Sequence, residues 1–419
     1  MATSCAKSVE LDPVSGEIVP APPATIPVAL LTGGSDRPYA FGLSMALVTS
    51  GIHLDVIGSD AIDSPEMHGN SRLKFRSILN SNAASASVAA KGWRVFTNYT
   101  RLVGYAASAG PRVFHILWNY KFQYFDRTLL MLYYKCLGKK IVFTAHNVND
   151  AKRDANDSEL NRLTLRLQYR FSDHIFVHTE KMKSELQEEF GVPGRKVTVI
   201  PFGINNSVPD TELTPEQAKA ALSIRPAEKT ILFFGRIGAY KGLKYLVDAF
   251  LHISTPTSDY RLLVVGQTKR GSEGYLAEIQ QTIDRSPYAE RVTRKIEFVP
   301  DEDTELYFKA ADVLVLPYTQ IFQSGVIFLG YSFGLPVIAT DVGSFREEII
   351  EGQTGFVCRP HDAADLGSTI VKYFESDLFA NLSNCRSEIR RFAQSRHSWD
   401  VVSEMTRRVY SALLQNEVQ

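Results

Sequence analysis

Thr230-Ile231-Leu232-Phe233-Phe234-Gly235-Arg236-Ile237-Gly238-Ala239-Tyr240-Lys241-Gly242 is an apolar run that empties into a loop holding three glycines and two obligate cations. A short run of β-branched and aromatic residues without polar alternation is the pattern of a strand covered on both faces, hence of a parallel sheet. The loop that follows suggests a phosphate site. Arginine offers planar bidentate bonds to phosphoryl oxygens, lysine adds a compact charge, and glycines let the backbone approach closely. An ordinary glycine-rich turn with solvated charges fits the same residues.

Outward from this stretch the rhythm repeats. Strands are expected at 230–234, 261–265, 295–299, 312–316 and 336–340, with helices at 242–253, 273–285, 303–311 and 324–333. In the first half, strands are expected at 26–31, 53–57, 113–118, 140–144, 174–178 and 197–200, and helices at 41–49, 126–137, 160–171 and 180–190. Such alternation implies βαβ units. The expected fold is α/β: two Rossmann-like, doubly wound domains facing across a cleft, since 419 residues exceed what one core usually supports. The reading divides the chain into a disordered leader 1–25, an N-terminal domain 26–204, a linker 205–229, a C-terminal domain 230–394, and a helix in 395–419 that returns towards the N-terminal domain. Prolines 209, 215 and 226 punctuate the linker around a short helix at 216–222.

Charge narrows the partners. With 46 Lys+Arg against 46 Asp+Glu there is no global pull towards nucleic acid or an anionic membrane, so any charged ligand is met locally. Four scattered cysteines without C-x-x-C spacing argue against a zinc site or a disulfide framework and for a reducing cytoplasm. Residues 1–25 lack the basic start and apolar centre of a secretory signal, and no apolar stretch approaches the roughly 20 residues of a membrane span, so a soluble or peripheral protein is expected.

Further motifs follow strands. Thr32-Gly33-Gly34-Ser35 lies between the first strand and its helix, where backbone amides meet anions; a tight turn fits equally. Gln323-Ser324-Gly325-Val326-Ile327 places Ser324 as an N-cap whose free amides would point into the cleft. Glu347 follows another strand and stands either near a hydroxyl-rich ligand or in a helix's first turn. His146-Asn147 ends a strand and is read as facing the cleft, as acid, base or hydroxyl ligand. His115 reads rather as a core histidine, and His174 and His178 as structural. Asp301-Glu302-Asp303 has the form of a metal-binding D-x-D but reads more simply as an acidic helix start.

Taken together, Gly235-Arg236, Tyr240-Lys241-Gly242, Val264-Val265-Gly266, Ala311-Asp312-Val313-Leu314-Val315-Leu316-Pro317, Gly334-Leu335-Pro336-Val337 and Glu351-Gly352-Gln353-Thr354-Gly355-Phe356 resemble, in order and spacing, the retaining glycosyltransferases of family 4 with their GT-B fold. The resemblance implies a UDP- or GDP-linked sugar as donor, no metal and no further cofactor. It assigns catalysis to Arg236, Lys241 and His146, and donor binding to Gly33, Gly34, Gly235, Gly266, Ser324, Gly325, Val326, Ile327 and Glu347. The acceptor, a glycan or lipid-linked glycan, would meet His115 and Asn147. The family also implies a role in cell-surface polysaccharide synthesis. Two departures stand out. The family carries two glutamates eight positions apart before Gly-x-Pro-Val, where this chain has Ile321 and Leu329; and a histidine two positions after His115 is here Leu117. The missing carboxylates keep a nucleotide-sugar epimerase and a non-catalytic binding protein as rival readings. Aromatic and basic residues at 93–105 and 120–140, read as loops facing the acceptor, would suit peripheral contact with the inner face of the plasma membrane.

Overall fold

Strand β8 (Lys229–Phe234) buries Ile231, Leu232 and Phe233 completely, as a strand covered on both faces must. It is central in a six-stranded parallel sheet ordered β10-β9-β8-β11-β12-β13, with β9 (Tyr260–Val265), β10 (Val292–Lys295), β11 (Val313–Leu316), β12 (Val337–Thr340) and β13 (Gly355–Cys358). A seven-stranded sheet of the first half has the order β3-β2-β1-β4-β5-β6-β7. Its strands are β1 (Pro27–Leu31), β2 (His53–Gly58), β3 (Leu73–Ser77), β4 (Val113–Ile116), β5 (Lys140–Thr144), β6 (His174–Val177) and β7 (Val197–Val199). Every pairing is parallel. Strand order reverses between β1 and β4 and between β8 and β11, the switch points at which doubly wound sheets bind ligands. This computed structural model describes residues 26–34, 36–80, 87–153, 156–204 and 208–415. The expected leader 1–25, Ser35, Cys5 and the linker's first residues lie outside the described residues.

The differences from the sequence reading collect at sheet edges. Strands β3 and β13 were not expected, and β10 occupies Val292–Lys295 rather than 295–299. All three are edge strands. An edge strand is part solvated, so its pattern is mixed, as in Leu73-Lys74-Phe75-Arg76-Ser77. Around β10 the apolar signal misleads, because Phe298 is 66% exposed.

Residues 93–105 form no loop. They belong to the long helix Val88–Ser108, whose Ser87 hydroxyl accepts the Ala90 amide and which buries Tyr99, Leu102 and Tyr105. The expected terminal helix is two helices, Leu382–His397 and Trp399–Gln415, broken at Ser398 by an extended backbone (φ −66°, ψ 147°). The first packs on helix Gly325–Ser332 of the second domain and the other on helix Arg37–Thr49 of the first, so the break carries the chain across. Trp399 is the pin. Its Nε1 donates to the Ile204 carbonyl at 2.7 Å, and the indole occupies the space left by Gly42 and Gly203, where a Cβ would come within 2.1 and 2.5 Å of the ring.

Candidate active site

The loop after β8 is shaped by glycines that accept no substitute. Gly235 has φ +112°, and a Cβ there would stand 3.1 Å from Lys241 Nζ; Gly242 has φ +66°, with a Cβ 1.8 Å from the Pro317 carbonyl. Gly266, at the end of β9, likewise lies against the Gly235 backbone, its Cβ position 2.1 Å from that carbonyl. The tight turn Ala239–Lys241 thereby folds the lysine inward. Lys241 is only 8% exposed; its ammonium donates to Tyr318 Oη at 2.9 Å and lies 4.8 Å above that ring. Arg236 is exposed and makes no hydrogen bond or ion pair among the described residues. Neither cation has a carboxylate partner there. Burying an ammonium without a countercharge is costly, so the site is built for an anion that arrives from outside.

Facing this loop is helix Gly325–Ser332, which follows β11. Ser324 occupies the N-cap in extended conformation, yet its hydroxyl caps nothing and stands 3.4 Å from Tyr318 Oη. Ile327 donates its amide to the Ser324 carbonyl, while the Gly325 and Val326 amides have no partner among the described residues. Free amides and the helix dipole favour negative charge. Lys241, Ser324, Gly325 and Val326 line a cavity of about 310 Å³ between the domains, with Tyr39, Phe202 and Trp399 on its far side. Ile321 and Leu329, the positions of the absent glutamates, line it too. Gln323 adds a buried carboxamide with neither oxygen nor nitrogen bonded.

Sequence reading missed Asp36 here. It lines the same cavity, caps helix Arg37–Thr49 by accepting the Tyr39 amide at 3.2 Å, and has a left-handed backbone (φ 48°, ψ 73°) that costs a non-glycine residue energy. Desolvation in the cleft pushes its carboxyl above the ordinary range, despite its hydrogen bond from Tyr39. The Asp-Arg-Pro order is a legible N-cap with proline in the first turn, but nothing local says that the cap borders a cleft.

The remaining predicted residues are distributed elsewhere. Gly33 and Gly34 adopt φ +62° and +76° after β1; a Cβ on Gly33 would meet the Trp118 carbonyl at 2.6 Å, so that glycine serves close packing against the β4 loop. Ile327 points into the core. Glu347 is exposed beside Glu180 and Lys181 of the opposite domain and does not line the cavity; desolvation first, then Glu348 and Glu180, raise its pKa. Asp301-Glu302-Asp303 is the first turn of helix Asp301–Ala310, behind Pro300.

His115 as an acceptor ligand is corrected. It is fully buried, with Nδ1 2.6 Å from Tyr410 Oη and Nε2 2.7 Å from Thr144 Oγ1, so neither nitrogen is left for a substrate. His146 and Asn147 instead line a polar cavity of about 230 Å³ at the ends of β4 and β5. His146 stacks on Trp118 at 4.2 Å and meets Tyr39 edge-on at 4.7 Å. A proton count fixes its tautomer. His178 Nδ1 lies 3.2 Å from the Ile200 carbonyl and can only donate, which leaves its Nε2 as acceptor for the His146 Nδ1 hydrogen at 3.0 Å. Both rings are held neutral, His146 well below its ordinary pKa by burial and then by His178 and His115. His146 Nε2 therefore carries a bare lone pair, and it has no partner among the described residues.

These histidines make stability pH-dependent. Burial lowers His115 to about 3 and His178 to about 4, and burial with Lys196 lowers His174 to about 4. An unfolded histidine titrates near 6.5, so below that pH the unfolded chain binds protons the folded one refuses. Stability is fully present above pH ~6.5 and is lost as pH falls towards 4. Urea unfolding should show a loss of about 3 kcal/mol between pH 7.5 and 5.5; a flat profile would contradict neutral burial.

Two doubly wound sheets with a cavity between them, lined by Lys241 and a helix start, define a two-domain α/β protein whose site suits an anion. Family models described as "Glycosyltransferase Family 4" and "Glycosyl transferases group 1" match residues 37–208 and 228–376 respectively. The chain belongs to these glycosyltransferases, and its two domains form the GT-B fold. It is 25% identical over 247 residues to a D-inositol 3-phosphate glycosyltransferase of Corynebacterium aurimucosum, covering 57% of this chain and 58% of that one. To the protein of the same name from Corynebacterium diphtheriae it is 27% identical over 251 residues, 57% of each chain. The chain thus spans little more than half the length of these curated relatives. Among solved structures, sucrose-phosphate synthase from Thermosynechococcus elongatus superposes with TM-score 0.75 at 19% identity, over 94% of this chain and 100% of that one. Anabaena HepE in complex with UDP-glucose gives 0.71 at 16% identity, over 92% and 100%.

Proposed function

We propose that the protein is a retaining, metal-independent hexosyltransferase that moves a sugar from a UDP- or GDP-linked donor to a glycan or lipid-linked acceptor in cell-surface polysaccharide synthesis. One observation carries this reading: the ammonium of Lys241 is buried without a carboxylate, opposite unbonded helix amides. The diphosphate leaving group gains charge as the glycosidic bond breaks, so fixed cations stabilise the transition state more than the ground state. Lys241, Arg236 and the amides of Gly325 and Val326 would supply that stabilisation. A leaving phosphate that takes the acceptor's proton on the face it departs from gives retention without a carboxylate nucleophile, consistent with apolar Ile321 and Leu329 on the wall. Anabaena HepE, which shares this fold, is known in complex with UDP-glucose, which favours a uridine donor.

The test is thermal unfolding with UDP, GDP, ADP and their sugar conjugates, with and without magnesium. Binding to the folded state alone adds about 2.7 kcal/mol at a hundredfold excess over Kd. We expect a clear, magnesium-independent rise in Tm with one nucleotide. No response to any of them would favour the non-catalytic reading that the missing glutamates support.

We also propose that the first domain meets a membrane surface. No helix among the described residues is long and apolar enough to cross one. Of 11 exposed large apolar side chains among the described residues, nine lie within 88–163, including Trp93 (70%), Phe96 (58%) and Leu129 (62%), with exposed Arg101 on helix Val88–Ser108 and exposed Lys121 in the loop before Gln123. Sedimentation with anionic liposomes at low salt should bring the protein down; a protein that stays in the supernatant there would refute the contact.

A further inference from the structure

The chain passes between the domains twice, at 202–204 and at 397–399, and the two passages are tied to each other. The Ile204 amide donates to the His397 carbonyl at 3.0 Å, and His397 Nδ1 stands 3.2 Å from the Phe202 carbonyl. A carbonyl only accepts, so Nδ1 carries the ring's hydrogen. The other nitrogen, Nε2, lies 3.1 Å from Glu348 Oε2, on helix Phe345–Glu348 of the second domain. Both side chains are buried, at 4% and 8% exposure. The two atoms are not aligned as a hydrogen bond and have no other hydrogen-bond partner among the described residues, so their contact is one of charge.

With Nδ1 committed, a second proton on Nε2 sets the sign of that contact. Present, it brings an imidazolium to a carboxylate; absent, it leaves a lone pair facing a carboxylate away from water, where repulsion is little screened. The titratable groups around the pair do not replace that proton. Glu347 adjoins Glu348 and adds negative charge, while Tyr331 Oη donates to the Glu348 carbonyl at 3.0 Å. His178, across Phe202, is held neutral by burial first and by His397 as well. Along the chain, exposed Arg396 and Asp400 flank His397 with opposite charges. The His397 ring packs 4.4 Å from Phe328, which stacks on Phe202 at 5.7 Å. Phe202 packs against the cores of both domains and lines the donor cavity, as do Gly203 and Trp399.

We propose that His397 is a positioning residue that acts through its charge. Protonated, it draws the two passages onto Glu348 and fixes the cavity wall formed by Phe202, Gly203 and Trp399; deprotonated, it lets that wall loosen. It touches no ligand. Its effect on the donor rests on the transferase reading above, whereas the joint itself does not. An imidazole changes charge between roughly pH 5 and 8, so the joint slackens as pH rises through that range. A pair kept for packing alone would be served as well by two apolar side chains.

The joint is read first without ligand, as hydrogen-exchange protection of the Ile204 amide in the full chain at pH 6 and pH 8, corrected for intrinsic exchange. Protection is expected to fall at least about fivefold at pH 8 in the wild type. It should be equal at the two pH values in Glu348→Gln and in His397→Gln, whose carboxamides stay polar without titrating. The donor is read next, by calorimetric titration with the nucleotide-sugar that raises Tm, whose diphosphate is esterified at both ends and keeps its charge across this range. Affinity should fall by a similar factor at pH 8 in the wild type and stay level in both variants. Protection that ignores pH, or a slope that survives in the variants, overturns the joint; affinity that stays level while protection falls overturns the positioning role. Where one variant fails to fold, the other decides. Failure of every nucleotide-sugar to bind removes the donor reading, while the protection slope still decides the joint.

Discussion

Lys241→Ala abolishes turnover, with kcat down by about 10³-fold or more, and removes the nucleotide-induced rise in Tm while leaving the unliganded protein as stable as before. The magnitude is that of losing a donor or cation aimed at a developing oxyanion. The stability expectation follows from the site: among the described residues the ammonium's hydrogen-bond partner is Tyr318 Oη at 2.9 Å, so its removal leaves no carboxylate there unpaired. Arg236→Ala should act in the same direction, with a stability change within about 0.5 kcal/mol, since the guanidinium is exposed and unbonded among the described residues. Steady-state rates with the nucleotide-sugar that binds, set beside urea unfolding of each variant, decide the matter. Wild-type turnover in either variant would remove that cation from the mechanism. A variant that unfolds readily while the other is sound would instead mark a structural charge.

Trp399→Ala costs about 3–5 kcal/mol, the range of a large buried aromatic replaced by alanine. The loss has identifiable parts. The indole is 6% exposed, packs 5.1 Å from the Tyr39 ring, and fills room that two glycines keep open. Its Nε1–H is the partner of the Ile204 carbonyl at 2.7 Å, which would be left buried and unpaired. Because Trp399 and Tyr39 both line the inter-domain cavity, nucleotide affinity should fall with stability, as it would not for a cavity formed in the core of one domain. Urea unfolding followed by tryptophan-independent circular dichroism measures the first effect and titration calorimetry the second. A loss below about 1 kcal/mol would show that the terminal helix is not what joins the domains.

The strands at the centre of each sheet were legible; of the four edge strands only β7 was, expected at 197–200 and found at Val197–Val199. Interior runs such as Thr230 to Phe234 or Lys140 to Thr144 face packed helices on both sides, so their composition alone marks them. Strand β13 is mostly buried but has only four residues and opens on Gly355, while the lysine- and arginine-bearing β3 and β10 are part exposed. Their patterns are correspondingly weak.

At the site the division is sharper. Arg236, Lys241 and the Ser324-Gly325-Val326 helix start could be read as anion-binding, because loop glycines, cations and helix caps are local chemistry. Which groups are free could not. That Lys241 meets Tyr318 and no carboxylate among the described residues, and that His115 is consumed by Tyr410, are facts about partners 77 and 295 residues away, and that Ser324 turns its hydroxyl from its own helix is set by packing rather than by its cap position. Local order along the chain thus determined the βαβ rhythm, the two sheets and the cationic loop. Tertiary structure alone decided that Lys241 is buried without a carboxylate and that Nε2 of His146 has no partner among the described residues, since burial and hydrogen-bond satisfaction are properties of three-dimensional neighbours.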